Sequence, residues 1–255
     1  MFEITVDDIK SWKKCVDAIL NLVKEGSFEF DNEGIKLKAM DPSQIAMVLF
    51  SMNKNAFSKY EIDAKTKVGI NIENFSKILS RARAGDKMVM RMDGGRFNVS
   101  FIGNNSRREF RIPTIDVPSG PAKELKINYS AIVKMKGGTL KEMLHDAMIV
   151  GPHVLLAADV DSFKVEASSD MGDVSSEYKR GSDSEINLDV NRTTSAIFSQ
   201  EYLNDIILGC DNEEEIILNL GAPTPEDPRP KPLCVKYNIG AGEFCYYLAP
   251  RIESD

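Results

Sequence analysis

The chain has 255 residues, 42% of them hydrophobic and 28% charged, which is the composition of an ordinary globular protein. It has no apolar run long enough to span a bilayer and no signal-peptide pattern, and its four cysteines lack the spacing of a metal or redox motif. We therefore expect an intracellular protein with reduced cysteines and no membrane partner. The net charge of −7 is uneven: residues 1–115 carry +4 and residues 116–255 carry −11, so contact with nucleic acid requires a local basic surface.

The first 115 residues predict two helices among strands. Hydrophobic residues at helical spacing predict a helix from an Asp7 cap to about Lys24, and a second over Ile72–Ala84 capped by Asn71. Alternating hydrophobic residues predict the strands Phe2–Val6, Gln44–Phe50, Tyr60–Ile62, Met88–Met92, Phe97–Ile102 and Phe110–Ile115, a hairpin at Phe28–Ala39 and a loop at Met52–Ser58.

The hairpin pattern returns 128 residues later, at Leu156–Ala167, and apolar positions of the two helices match at the same offset. Near the C-terminus, FRIPTID (Phe110–Asp116) matches YLAPRIE (Tyr247–Glu253) at an offset of 137. The second copy has therefore gained nine residues, which we assign to the proline-rich loop Ala222–Pro232, because prolines disfavour a central strand. The sequence predicts one structural unit used twice.

Residues 116–124 lack periodicity and contain two prolines, which is typical of a linker between domains at 1–115 and 125–255. In the second domain, Thr139–Glu142 is a capping box that opens a third helix, and Ser199 caps a fourth. The residues expected to face the core are Leu140, Met143, Leu144, Ala147 and Met148 on the third helix and Leu203, Ile206 and Ile207 on the fourth. The predicted fold class is α+β, with two duplicated domains that each pack two helices on antiparallel sheets.

Catalytic constellations are missing from the sequence. The two histidines, His145 and His153, have no cysteine or carboxylate at metal-ligand spacing. Asp159 and Asp161 could be the paired carboxylates of a metal-dependent hydrolase, or simply turn residues, since Asp31 and Glu33 occupy the same places in the first copy. We expect no catalytic residue, no metal and no cofactor.

Basic residues lie on the helices, opposite the apolar faces. They are Lys10, Lys13, Lys14, Lys77, Arg81 and Lys141, with His145 a weaker candidate. Such a face can attract phosphates without reading bases, or it can be merely solvated. The second copy has Asp205 in place of Lys77 and Gly209 in place of Arg81, so the positive charge is uneven.

Several blocks together resemble the proliferating-cell-nuclear-antigen sliding-clamp family, in its archaeal branch. They are EGIKLKAMDPSQIAM at Glu33–Met47, NFSKIL at Asn74–Leu79, YLNDII at Tyr202–Ile207 and YYLAPRIE at Tyr246–Glu253. The resemblance implies a non-enzymatic processivity factor, three subunits in a head-to-tail ring, and helices that line a hole around double-stranded DNA. It also implies partners: DNA polymerase, flap endonuclease, DNA ligase and an ATP-driven clamp loader. The expected location is the cytoplasm with the nucleoid in an archaeon, or the nucleus in a eukaryote.

The resemblance further implies two protein-binding sites. The partner-peptide pocket takes Met40, Gln44, Ile45, Met47, Leu125, Pro232, Tyr247, Ala249 and Pro250, unless these are ordinary core and strand-end residues. At the subunit interface, Arg108–Ile115 pairs with Asp173–Arg180 of a neighbour. The interface residues are Arg81, Arg83, Arg108, Arg111, Glu142, Asp146, Ser175 and Tyr178. From the opposite net charges of the two copies we expect Arg81, Arg83 and Arg108 to face Glu142 and Asp146 of the neighbour, unless these charges are solvated or pair within one subunit. A homotrimer and one subunit of a hetero-oligomeric ring both remain open.

Overall fold

The computed structural model describes residues 1–117, 125, 127–181, 186–225 and 227–252. The chain forms two compact units: the first contains Met1–Pro42, Val48–Ala122 and Ile239–Phe244, and the second contains Ser43–Met47, Lys123–Asn238 and Cys245–Asp255. Residues 118–124 of the predicted linker lie outside the described part of the chain. Among the described residues, no helix is long and apolar enough to cross a membrane.

The first unit has two helices, α1 (Ile9–Leu20) and α2 (Ile72–Leu79), and a short 3-10 turn at Lys54–Ala56. Its strands are β1 (Phe2–Val6), β2 (Glu25–Asp31), β3 (Gly34–Met40), β4 (Ala46–Asn53), β5 (Lys59–Ile62), β6 (Thr66–Asn71), β7 (Lys87–Asp93), β8 (Arg96–Gly103) and β9 (Ser106–Pro113). In one sheet the strands lie in the order β5-β1-β7-β8-β9. The other strands of this unit lie in the order β4-β3-β2-β6 in a second sheet.

The second unit also has two helices in its described part, α3 (Gly137–Val150) and α4 (Gln200–Leu208). Its strands are β10 (Ala131–Lys136), β11 (His153–Ala158), β12 (Ser162–Ser169), β13 (Gly172–Lys179), β14 (Ile186–Val190), β15 (Thr194–Ser199), β16 (Glu215–Leu220), β17 (Leu233–Ile239) and β18 (Gly242–Leu248). The strand orders are β14-β10-β16-β17-β18 and β13-β12-β11-β15.

The element order confirms the predicted repeat. β6 and β15 have the same length and begin 128 residues apart, at Thr66 and Thr194, while β8 and β17 begin 137 residues apart. Two residues separate β7 from β8, whereas twelve separate β16 from β17. The additional residues therefore fall between β16 and β17, in the segment that contains the proline-rich loop.

Both helices of the first unit are shorter than predicted. The cap of α1 is Asp8 rather than Asp7, because the Asp8 carboxylate accepts the Ser11 N–H at 3.0 Å. After Leu20 the chain turns into β2, and the Lys24 carbonyl accepts the Ile72 N–H instead of continuing a helix. The predicted Asn71 cap of α2 is confirmed by its hydrogen bond from the Asn74 N–H at 2.8 Å.

The end of α2 is set by the chain that follows it. The helix stops at Leu79, and the Asp86 carboxylate accepts the Arg83 N–H at 2.8 Å, which holds the next residues in a turn. The predicted extension to Ala84 is therefore wrong. Among the predicted strands, Gln44–Phe50 and Phe110–Ile115 are wrong at both ends, since β4 runs over Ala46–Asn53 and β9 over Ser106–Pro113.

The predicted capping box on α3 is wrong. The helix begins at Gly137, two residues earlier, and the side chain at its cap position, Lys136, makes no hydrogen bond that caps the helix. The first amides donate to backbone carbonyls of the loop after α4: Gly137 to Glu214 and Gly138 to Asn212, at 2.8 and 2.9 Å. A Cβ at Gly137 would lie 2.7 Å from the Asp211 carbonyl oxygen, so this close approach requires glycine.

The core of each unit lies between its helices and sheets. In the first, Trp12 packs at 6.1–6.3 Å, centroid to centroid, against the rings of Phe28, Phe50 and Phe57. In the second, the predicted core positions of α3 and α4 are buried, with one exception. Met148 is 51% exposed, and its sulfur accepts a hydrogen bond from the Asn204 amide, so its prediction as a core residue was wrong.

The hairpin between β2 and β3 turns at Gly34, which has a φ of +152°. A Cβ there would collide with the Met52 carbonyl oxygen, so the position needs glycine for both its conformation and its space. The Asp31 carboxylate accepts the Glu33 and Gly34 N–H groups at 2.8 and 3.2 Å, as expected of a turn aspartate.

Candidate nucleic-acid interface and partner sites

Helices α1 and α2 pack side by side in the first unit. The Ser76 hydroxyl on α2 donates a hydrogen bond to the Asp17 carboxylate on α1 at 2.5 Å, which fixes the two helices relative to each other. Trp12 and Phe75 are buried beneath them. Exposed cations on the two helices form what we call the basic helix face, which consists of Lys10, Lys14, Lys77 and Arg81.

Two of the predicted cations are engaged by carboxylates. Lys13 is half-buried and forms an ion pair with Asp17, one turn further along α1. Lys77 pairs with Glu73 at 2.6 Å but remains 67% exposed, and its hydrogen bond lowers the pKa of Glu73. Exposed pairs of this kind add little to stability, so a phosphate can replace Glu73 as the partner of Lys77 at little cost.

The corresponding face of the second unit is different. The Lys141 ammonium donates to the Cys210 carbonyl and to the Asn212 side chain, so it neutralises the C-terminal end of α4. Burial raises the pKa of Asp205 on α4, and the Glu201 charge acts in the same direction. His145 is exposed, as is Leu208 at 64%. This helix pair therefore presents acidic and apolar groups where the first presents cations.

Several predicted peptide-pocket residues of the second unit lie on two segments that one backbone contact joins. The Ile45 carbonyl accepts the Ala249 N–H at 2.8 Å, which joins the segment before β4 to the segment after β18. Gln44 has a φ of +59°, a conformation that non-glycine residues seldom adopt outside functional or tightly constrained sites. Ile45 and Leu125 expose 38% and 43% of their surface, whereas Pro232, Tyr247, Ala249 and Pro250 are half-buried.

Two predicted pocket residues differ from this group, one in its burial and the other in the unit to which it belongs. Met47 is 2% exposed, so its side chain belongs to the core or to the floor of the pocket. Met40 is half-buried at the end of β3, in the first unit.

Sequence reasoning missed Tyr129, which is half-buried close to Tyr247 and Cys234. Burial raises the pKa of Tyr129, and charge on Cys234 or Tyr247 would raise it further. The sequence does contain an indication of this position: Tyr129 is an aromatic residue in the polar segment between the linker and β10, and such a residue needs apolar neighbours.

The two segments predicted to join subunits are edge strands. β9 pairs with β8 and ends its sheet, and β13 pairs with β12 and ends the other. β9 begins at Ser106 and ends at Pro113, and β13 covers Gly172–Lys179, so both differ slightly from the predicted bounds. Each has eight residues in the structure. Exposed edges of this kind favour pairing with another chain.

The arginines near β9 are not equivalent. Arg108 forms an ion pair with Asp86, donates to the Arg81 carbonyl at 2.7 Å and lies 5.3 Å from the centre of the Phe101 ring. Arg83 is exposed. Arg111 pairs with Glu109 at 3.1 Å. The structure thus shows Arg108 paired within the chain, which is the alternative to its role at a subunit interface.

The predicted partners of these arginines lie on the second unit. Glu142 and Asp146 are exposed on α3. On β13, the Ser175 hydroxyl donates to Glu166 at 2.9 Å, and Tyr178 is half-buried.

The turn interpretation of Asp159 is confirmed. Its carboxylate accepts the N–H groups of Asp161 and Ser162 at 2.8 and 2.7 Å, so the acid organises the hairpin between β11 and β12. Hydrogen bonding from the Asp161 amide lowers the pKa of Asp159. Within the described ranges, no group of three or more His, Cys, Asp or Glu side chains is arranged to hold a metal ion.

Comparison with known proteins gives consistent matches along the whole chain. Residues 1–117 match the model of the N-terminal domain of proliferating cell nuclear antigen, and residues 124–252 match its C-terminal domain. The chain is 30% identical to DNA polymerase sliding clamp 1 of Thermococcus kodakarensis over 254 residues, covering 99% of each protein. It is 32% identical to the DNA polymerase sliding clamp of Methanococcus vannielii over 259 residues, covering 100% of each.

A solved structure shares the fold. The crystal structure of the proliferating cell nuclear antigen from Thermococcus kodakaraensis superposes with a TM-score of 0.89 at 23% identity. The match covers 98% of this chain and 100% of the other.

Proposed function

The chain belongs to the proliferating cell nuclear antigen family, and on that basis we propose that it acts as a DNA polymerase sliding clamp. In this proposal it encircles double-stranded DNA and tethers replication and repair enzymes without catalysing a reaction itself. Its domains are 1–115 and 125–255, joined by the connector 116–124. Since the two sliding clamps described above come from archaea, we place it in the cytoplasm, at the nucleoid.

The basic helix face is the observation that supports a DNA-binding role. Its long cationic side chains lie on two helices held together by the Ser76–Asp17 hydrogen bond. A clamp must attract phosphates yet slide, and exposed Lys and Arg side chains provide attraction that is independent of sequence. The face is therefore suited to backbone contact, whereas Lys13 and Lys141, already engaged within the chain, are expected to contribute less.

The test is polymerase processivity on primed circular DNA, with the clamp loader and the DNA polymerase of the same organism. Lys10→Glu, Lys14→Glu and Lys77→Glu together should shorten the products at physiological salt and leave the assembled mass unchanged. Lys54→Glu, an exposed cation on the 3-10 turn, is the matched control and should have no effect. Equal product lengths for the triple variant and this control would contradict the assignment.

We propose that three subunits close into a head-to-tail ring through pairing of β9 with β13 of the neighbour. Two edge strands of equal length support this arrangement, since joining them would remove two exposed edges. Arg83 and Arg111 are better candidates than Arg108 for facing Glu142 and Asp146 of the neighbour, because Arg108 is held by Asp86. Ser175 and Tyr178 would flank the paired strands.

Light scattering tests the ring. The purified wild-type chain should run at three times its 28.4 kDa mass if it forms a homotrimer. A monomeric mass at high concentration would favour a hetero-oligomeric ring with other subunits. Arg83→Glu should weaken assembly more at low salt than at high salt, because exposed ion pairs are screened. A reversal that has no effect at low salt would remove Arg83 from the interface.

We propose that DNA polymerase, flap endonuclease, DNA ligase and the clamp loader share one peptide pocket, formed around Ile45, Tyr247, Ala249 and Pro250. Exposed Ile45 and Leu125 support it, because they leave apolar surface open to a partner's side chains. Ile45→Arg should abolish binding of a peptide copied from the polymerase, as measured by calorimetry, without changing the unfolding midpoint. Ile252→Arg, at another exposed apolar residue, is the control. Micromolar binding by the Ile45 variant would exclude the pocket.

A further inference from the structure

Two of the four cysteines form a close pair in the second unit. The Sγ atoms of Cys234 on β17 and Cys245 on β18 are 3.4 Å apart. Both are free thiols; Cys234 is almost fully buried and Cys245 is half-buried. A disulfide bond joins sulfurs at ~2.05 Å, so the two atoms need to approach by roughly 1.4 Å, a shift within reach of side-chain rotation. Cys15 and Cys210 have no such neighbour among the free cysteines described.

The pair is also chemically distinct from the other two thiols. The hydrogen bond donated by the Cys245 thiol lowers the pKa of Cys234 and raises that of Cys245, so Cys234 is the more acidic thiol of the pair. Burial instead raises the pKa of Cys15 to about 12 and that of Cys210 to about 11. Because the thiolate is the reactive form, the pair should react with oxidants well before the other cysteines do.

The pair adjoins the peptide pocket. Cys245 and Tyr247 are two residues apart on β18, so their side chains leave the strand on the same face. Cys234 comes two residues after Pro232. Tyr129 lies close to both cysteines and to Tyr247. A change in the positions of the two sulfurs therefore acts directly on the aromatic side chains beside the pocket.

We propose that Cys234 and Cys245 form a redox-active dithiol, whose oxidation to a disulfide weakens peptide binding at the neighbouring pocket. The oxidant is a small-molecule disulfide. As the Cys245 thiol, the more exposed sulfur, attacks it, the Cys234 thiolate takes up the Cys245 proton; a mixed disulfide forms and one thiol is released. The Cys234 sulfur then attacks the Cys245 sulfur and its proton leaves with the second thiol, so the two cysteines lose two protons and two electrons and the small disulfide is reduced to two thiols. The effect on the peptide rests on the proposed function, whereas the disulfide itself does not.

Bond formation is tested on the full chain by incubation with oxidised glutathione, alkylation under denaturing conditions and mass spectrometry. The expected product has two alkylated cysteines, Cys15 and Cys210, and a Cys234–Cys245 crosslink that dithiothreitol reverses. Cys234→Val and Cys245→Val should each abolish the crosslink, and Cys210→Ala should retain it. Alkylation of all four cysteines after oxidation, or a crosslink that includes Cys15 or Cys210, would overturn the proposal.

Coupling to the pocket is tested by calorimetry with a synthetic peptide from the same organism's DNA polymerase. The oxidised chain should bind it roughly tenfold more weakly than the reduced chain, as expected when a preorganised pocket is disturbed. Cys234→Val should bind equally before and after treatment. Equal affinities of the reduced and oxidised wild-type chain would refute the coupling while leaving the disulfide intact. Failure of the reduced chain to bind the peptide would instead refute the proposed pocket, and with it the coupling.

Discussion

Replacing Arg108 with leucine should destabilise the first unit, because its guanidinium is the partner of a buried carboxylate. The Asp86 side chain is 4% exposed and that of Arg108 is 22% exposed. Arg108 also donates to the Arg81 carbonyl and lies against the ring of Phe101. After the substitution, Asp86 keeps its hydrogen bond from the Arg83 amide but loses the countercharge.

The expected cost follows from these contacts. Removing one partner of a fully buried ion pair costs ~3–5 kcal/mol, because an uncompensated charge stays in the interior. Arg108 is partly exposed, so water can reach the vacated position and reduce the penalty. We therefore expect a loss of about 2–4 kcal/mol in the free energy of unfolding, which includes ~0.5–1 kcal/mol from the contact with the Phe101 ring. Arg111→Leu is the control: its pair with Glu109 is exposed, and such pairs contribute ~0.2–1 kcal/mol.

Denaturant unfolding measures both variants. The stability of an associating protein depends on its concentration, so the wild type and the variants are compared at several matched concentrations. Adding Asp86→Leu to Arg108→Leu should recover part of the loss, since apolar replacements of a buried pair are often tolerated. If Arg108→Leu lowers the free energy of unfolding no more than Arg111→Leu does, the reasoning is refuted. Arg108 would then again be a candidate for contact with a neighbouring subunit.

Two further predictions concern stability. Gly34→Ala should cost at least ~2 kcal/mol, because the position has a φ of +152° and a Cβ would collide with the carbonyl oxygen of β4; Gly181→Ala, with open space around it, should stay near wild type in the same denaturation assay. Hydrogen bonds from Lys59 and Arg91 hold the pKa of Glu3 below its ordinary value of 4.5. The stability from Glu3 is therefore present above that value and is lost as pH falls through the lowered pKa. Glu3→Gln should be less stable than wild type at pH 7 and should lose less stability on acidification; parallel pH profiles of unfolding would contradict this.

The sequence predicts the kinds of elements well because the hydrophobic periods repeat. β1 has the predicted bounds, and the hairpin at Gly34 recurs at Ser162. The ends of helices were harder to predict, because contacts remote in sequence decide them. The Lys24 carbonyl is taken by the Ile72 amide, which no local pattern around α1 reveals. Likewise, the first amides of α3 donate to the loop after α4, so the local pattern predicts a start at Thr139 although the helix begins at Gly137.

Charged residues show the same limit at the candidate sites. Helical spacing places Lys13, Lys14 and Lys77 on polar faces, but spacing does not show which cation a nearby carboxylate has already engaged. Lys13 and Lys77 both pair with a carboxylate four residues away, Lys13 with Asp17 and Lys77 with Glu73. The pair between Asp86 and Arg108 joins residues 22 positions apart, and only the folded chain brings them together.

The two copies have kept their core and changed their surface, and this separates what the fold requires from what a site requires. At an offset of 128, Phe75 of α2 corresponds to Leu203 of α4, and both are buried. At the same offset, exposed Lys77 corresponds to Asp205, whose pKa burial raises. Folding constrains only the apolar side, because burying that face stabilises either helix. Homology between the halves therefore establishes their shared architecture, whereas DNA attraction has to be assigned to each helix pair from its own side chains, and on that basis we propose α1 and α2.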